Sequence, residues 1–113
     1  MIFLSLALNI VVLVPVCWGV ATGASWANAA YGNASAARGI LLAIYLAILF
    51  ASVVLLLRPL PAAVATLLGL QIAYKLMTPF TVGTSENPVV LSNLAIAAVH
   101  VVTLWLILSR PLP

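Results

Sequence analysis

Charge is what this chain has least of. Among 113 residues there is a single acidic side chain, Glu86, against four basic ones, and charged residues make up 4% of the whole. A soluble domain needs about a quarter of its residues charged to cover its surface, so water is excluded as the solvent for most of this molecule. The lone Cys17 excludes an intrachain disulfide and every redox or zinc motif built on a cysteine pair. Arg38, Arg58, Lys75 and Arg110 are dispersed along the chain, which excludes a nucleic-acid-binding patch of clustered cations. One carboxylate allows no paired-acid site and one histidine no His-rich metal cluster, and neither a phosphate-binding glycine loop nor a nucleophile elbow occurs. Ser85, Glu86 and His100 have the atom types of a nucleophile, an orienting acid and a base, but no motif joins them. No catalytic residue, metal ligand or particular cofactor is assigned.

What is present is apolar. Hydrophobic residues make up 66% of the chain, and the mean hydropathy is +1.35. Runs near the roughly 20 residues needed to cross a bilayer are separated by turn residues or a charge. They predict four spans, at about 2–21, 39–57, 61–79 and 88–108. The fold class is therefore all-α: a small polytopic membrane protein built as an antiparallel four-helix transmembrane bundle, with residues 1–113 as one domain.

Several local signals refine this outline. The first segment lacks a basic region before its apolar run, so it is read as a span rather than a cleaved signal, with Pro15 bending it. Gly19 with Gly23, and Ser35 with Gly39, have the small-x-x-x-small spacing that lets helix backbones approach. Residues 22–37 are small, polar-spotted and nearly uncharged, which suits the interface, with Trp26 and Tyr31 at headgroup depth. Asn33-Ala34-Ser35 matches an N-glycosylation acceptor. Arg58-Pro59-Leu60-Pro61 stops the second span and starts the third, so the second and third spans are expected to be antiparallel neighbours.

The stretch from Gln71 to Trp105 concentrates the polar groups that fall inside spans. Gln71, Lys75 and Thr78 recur at helical steps and share a face, as do Asn93 and His100 on the fourth span. Cytoplasmic termini put Arg58 and Arg110 on the positive side, with Arg38 and Glu86 opposite. At about 1.5 Å per residue, Asn9 and His100 then fall within roughly 5 Å of the midplane, Gln71 near it, and Lys75 and Asn93 roughly 8 Å toward the other surface. Facing lipid would strand such groups, so an interior polar track of Asn9, Gln71, Lys75, Asn93 and His100 is the candidate ligand-binding set.

His100 and Lys75 each carry two readings. His100 is either a packing histidine bonded to Asn9, Gln71 or a backbone carbonyl, or a group that binds a ligand, handles protons or ligates a pigment. Lys75 either snorkels to anchor the third span, pairs with Glu86, or holds the polar head of an amphiphile inside the bundle.

The early Pro15 region, Ala37-Arg38-Gly39, Arg58-Pro59, Tyr74-Lys75, Val82-Gly83 and the last span together resemble the DoxX-like superfamily of small four-span bacterial membrane proteins. That resemblance implies a basic residue, often arginine, near the end of the third span, where this chain has Lys75. It also implies an acidic residue in the fourth, where this chain has His100. The terminal run of His100, Trp105 and Arg110-Pro111 is similar to bacterial light-harvesting polypeptides, which would make His100 a pigment ligand.

The leading expectation is an accessory or structural subunit of a larger integral membrane complex, packing through small-residue helix faces in the bacterial inner membrane. The alternatives are a bundle that binds a lipid, quinone or isoprenoid, a transporter or channel component, and a pigment-ligating subunit. Nucleic acid is not an expected partner.

Overall fold

The computed structural model describes residues 2–84 and 86–109; Ser85, Arg110 and Pro111, named above, lie outside them. Five helices follow in order: α1 (Ile2–Thr22), α2 (Ser25–Tyr31), α3 (Ala36–Leu57), α4 (Pro61–Val82) and α5 (Pro88–Leu108), and the described residues contain no strand. All but α2 are apolar and long enough to cross a membrane. At 21 or 22 residues and about 1.5 Å per residue, each spans roughly the 30 Å of a hydrocarbon core. The four-span bundle is therefore as the hydropathy predicts.

The bundle sorts its residues as a lipid-solvated protein must. Phe3, Trp18, Phe50, Phe80 and Trp105 are exposed, while Ser5, Asn9, Ser52, Gln71, His100 and Thr103 are buried almost completely. Lipid is as apolar as leucine, so leucine gains little by turning inward, whereas a polar side chain gains a partner there. Apolar contacts complete the interior around this polar line. One cluster is Leu6, Val64 and Leu68, near the end that carries the N-terminus; another is Leu13, Cys17, Tyr45 and Ile48.

The helices associate as two antiparallel pairs, α1 with α3 and α4 with α5, and α1 joins the pairs through α5. The expected close pairing of α3 with α4 is not observed: these two touch sparsely. The short connection at residues 58–60 fixes only where the two helices begin. Beyond it they diverge around an apolar groove of about 600 Å³, lined by Phe50, Val54, Ala63 and Leu70 among others.

Helix ends are set by identifiable chemistry. α3 begins at Ala36, three residues before the expected start, because the Ser35 hydroxyl accepts the Arg38 N–H at 3.1 Å as an N-cap. The segment expected at the interface contains a short helix, α2, bounded by Gly23 and Gly32 in left-handed conformations (φ 70° and 83°) that glycine adopts without steric cost. α4 runs on through Pro79 to Val82 rather than stopping at 79. Pro79 has no N–H for the carbonyl of Lys75, and the Thr78 hydroxyl donates to that carbonyl at 2.7 Å instead, the kind of local substitution that lets membrane helices tolerate proline.

The glycine pairs do not form helix seams inside the chain. Gly19 lies under the Trp26 indole, where a Cβ would collide with the ring, and Gly23 and Gly39 face open space.

Candidate functional site

The polar interior is stacked in layers along the bundle. Nearest the end with the N-terminus, Ser5 on α1 and Thr103 on α5 share a hydrogen bond of 2.6 Å. One turn further in, all four spans contribute a buried polar side chain: Asn9, Ser52, Gln71 and His100.

Hydrogen bonds in this second layer run in one direction. The Ser52 hydroxyl donates to the Ile48 carbonyl at 2.8 Å, so it receives the Asn9 Nδ2–H at 3.1 Å. Asn9 Oδ1 then faces His100 Nε2 at 2.9 Å, and this order assigns the imidazole proton to Nε2. Asn9 thereby ties α1 to both α3 and α5. Among the described residues, His100 Nδ1 and Gln71 Oε1 have no hydrogen-bond partner although both are buried. Gln71 Nε2 reaches only its own helix, at 3.5 Å from the Leu67 carbonyl, the outer limit of a hydrogen bond.

Toward the α2 end the interior opens. Two adjoining cavities of about 200 Å³ each share Tyr31, Tyr45, Tyr74, Val89 and Asn93 in their walls. These three tyrosines are all that the chain has, brought together from α2, α3 and α4, with Tyr31 edge-on to Tyr45 at 5.9 Å between ring centroids. Tyr31, on the short helix outside the spans, has its phenol held protonated well above the usual tyrosine range, by burial first and by the neighbouring Tyr45 second.

Lys75 lines the first of these cavities, together with Asn9, Ser92 and Asn93. It is 6% exposed and Asn93 is 7% exposed, so both are interior groups and Lys75 does not snorkel to the surface. Glu86 is exposed in the α4–α5 loop. Among the described residues, no ion pair or hydrogen bond engages the Lys75 ammonium, and the Asn93 amide likewise has no hydrogen-bond partner. The ammonium lies 5.9 Å from the Tyr74 ring centroid, at the far edge of cation–π range.

All five residues of the expected polar track are therefore buried, but they are divided between two layers. Lys75, Asn93 and Asn9 line the cavity, whereas Gln71 and His100 are not among its lining residues. Asn9 belongs to both layers, since it also bonds His100.

Sequence reasoning left out the buried hydroxyls of Ser5 and Ser52 and, more consequentially, a buried charge. Arg38, read as a charge at the edge of a span, is 6% exposed. It donates through Nη1 to Asn28 Oδ1 (2.6 Å) and the Gly32 carbonyl (2.7 Å), and through Nη2 to the Val20 carbonyl (2.8 Å). A permanent cation thus closes the carboxyl ends of α1 and α2, where the helix dipoles are negative. Asn87 fastens the other side of α2 to α5: its Nδ2 donates to the Ala30 carbonyl at 2.9 Å, and its Oδ1 caps the Val89 N–H. The polar, turn-rich composition of residues 22–37 was the available signal for such a corner.

Comparisons of the chain with protein-family models, curated proteins and solved structures find no match in any of the three. The site itself must carry the functional argument.

Proposed function

We propose that the protein is a membrane-embedded binding bundle for an amphiphile of the lipid, quinone or isoprenoid class. Its polar head would occupy the tyrosine-lined cavities while its apolar part follows the lipid-facing surface. One observation carries this reading: Lys75 is buried, lines the first cavity, and among the described residues has no hydrogen bond or ion pair to satisfy its charge. An ammonium taken out of water is costly unless something compensates it. Concave sites of this type, mostly apolar with a few convergent polar groups, are where small ligands bind. The pigment reading draws less support, because the His100 ring is fully enclosed and its Nε2 is engaged by Asn9.

The test is native mass spectrometry after gentle purification from the host membrane. A defined amphiphile retained by the wild-type chain and lost on Lys75→Met is the expected result. A stable heteromer with no small molecule would support the second reading, an accessory subunit of a larger membrane complex. The observation that favours this second reading is the apolar groove between α3 and α4, which could receive a helix from another chain.

We further infer that the termini face the cytoplasm of a bacterial inner membrane. Arg38 and Lys75 are both buried, so among the described residues the exposed cation is Arg58, at the α3–α4 corner on the side of the N-terminus. The positive-inside rule supports placing that side in the cytoplasm. The four-span architecture also supports assignment to the DoxX-like superfamily.

A further inference from the structure

We infer that the head held at Lys75 is a single carboxylate, which makes the ligand a carboxylate-bearing amphiphile. This deepens, and rests on, the binding reading above. The chemistry of the first cavity is one-sided. Its polar lining groups are the Lys75 ammonium, the amides of Asn9 and Asn93, the Ser92 hydroxyl and the tyrosine phenols, with no acidic residue among them. Asn9 has both ends of its amide engaged. Tyr45 has Tyr31 as its side-chain partner. Among the described residues, Lys75 and Asn93 are therefore the polar lining groups that are more than nine-tenths buried and without a hydrogen-bond partner, with the exposed Ser92 and half-buried Tyr74 hydroxyls as further donors. Lysine offers only donors, and asparagine two donors and one acceptor. A ligand rich in acceptors matches this set.

Charge narrows the choice. A neutral carbonyl accepts a hydrogen bond but leaves the ammonium uncompensated in a medium of low dielectric, whereas an anion removes that cost. One ammonium balances one negative charge. A phosphate monoester, near two charges at neutral pH, overshoots it, whereas a singly charged phosphodiester is set apart by the size of its head rather than by charge. The amino end of α5 adds field of the same sign. Pro88 and Val89 of its first turn line the cavity, where the helix dipole is positive. Because Asn87 already caps the Val89 N–H, the helix contributes potential rather than a free donor.

Size and depth agree with this assignment. A void of about 150 Å³ accommodates a benzene ring, so a cavity of about 200 Å³ suits a carboxylate with a short length of chain or one ring. A two-chain glycerophosphate head is larger. Lys75 lies seven residues short of the end of α4, roughly 10 Å along the helix axis, so the head must leave the interface to reach it. Trp26, laid over Gly19, forms part of the wall beside the tyrosines.

The experiment is equilibrium binding to the purified full-length chain in dodecyl maltoside at pH 8, with oleate, oleyl alcohol and decylubiquinone as probes. Wild type is expected to bind oleate at least about tenfold more tightly than oleyl alcohol, a charge-assisted margin. Lys75→Arg should keep that preference, and Lys75→Met should reduce oleate to the level of the alcohol. If the alcohol or the quinone binds as tightly as oleate and Lys75→Met changes nothing, the carboxylate assignment falls while the binding reading stands. If none of the three binds saturably to folded protein, both fall. Should Lys75→Met not fold, the ratio of oleate to alcohol in wild type and Lys75→Arg decides alone.

Discussion

Arg38 and Lys75 are equally buried cations in a chain with one acid, and they are treated in opposite ways. Arg38 spends its guanidinium on three oxygens at the carboxyl ends of α1 and α2. Lys75, 6% exposed like Arg38, has an ammonium with no hydrogen bond or ion pair from any described residue and only the distant Tyr74 ring beside it. The difference separates a group that holds the fold from one that holds something else. A buried charge whose partners are all protein atoms is explained by the structure, whereas one facing a cavity without them points outside the chain.

The largest expected effect breaks this comparison directly. Arg38→Met should destabilise the bundle by about 3 kcal/mol or more, because three oxygens lose a charged donor and each loss is worth about 1–3 kcal/mol. Lys75→Met should leave ligand-free stability unchanged or raised, since it replaces an uncompensated buried charge with an apolar chain of similar length. Unfolding in mixed detergent followed by circular dichroism measures both. Equal destabilisation by the two substitutions would mean that Lys75 is structural after all.

The same logic extends to the amides with a smaller effect. Asn9 bridges three helices through Ser52 and His100, and Asn9→Leu leaves the His100 Nε2–H buried without an acceptor. Interhelical hydrogen bonds in membranes average about 0.6 kcal/mol and reach about 1.7, so a loss of about 1–2 kcal/mol is expected in the same unfolding assay. Asn93→Leu removes an amide with no hydrogen-bond partner among the described residues and should fall within about 0.5 kcal/mol of wild type. Its effect should appear instead as weaker retention of the bound amphiphile.

Much of this was legible before any coordinates. Hydropathy placed all four spans with their ends within three residues of the helices, because lipid imposes a length and an apolar character that a sequence must display. Depth counting put Asn9 and His100 at the same level of the bundle, where the structure joins them by a hydrogen bond, since antiparallel helices with a fixed rise leave little freedom in which residues share a level. Rotation about the helix axes was less accessible. That Tyr31, Tyr45 and Tyr74 converge on one pair of cavities depends on how α2, α3 and α4 turn relative to one another, and no spacing along the chain encodes it. The Arg38 clamp was hidden for a related reason: two of its three acceptors are backbone carbonyls of α1 and the α2 corner, which every sequence has, and the third, Asn28 Oδ1, is brought to it only by the fold of that corner. The sparse contact of α3 with α4 shows that a short connection constrains the ends of two helices rather than their length.

The smallest expected effect concerns Thr78 and has an internal control on the same helix. Both Thr66 and Thr78 donate their hydroxyls to backbone carbonyls of α4, Thr66 to Ala62 at 2.9 Å and Thr78 to Lys75 at 2.7 Å. The Ala62 carbonyl also has the helical N–H of Thr66 available, so Thr66→Val should be neutral within a few tenths of a kcal/mol. The Lys75 carbonyl is the one left without an N–H by Pro79, so Thr78→Val takes away the donor that replaces it. A cost of about 1 kcal/mol follows from losing one ordinary hydrogen bond, with faster amide exchange expected in the last turn of α4, through Thr81 and Val82. The carbonyl at stake belongs to the residue whose ammonium serves the proposed site. Thr78→Val should therefore also weaken amphiphile retention while Thr66→Val does not, and equal behaviour of the two valine variants would show that α4 needs no substitute donor at its proline.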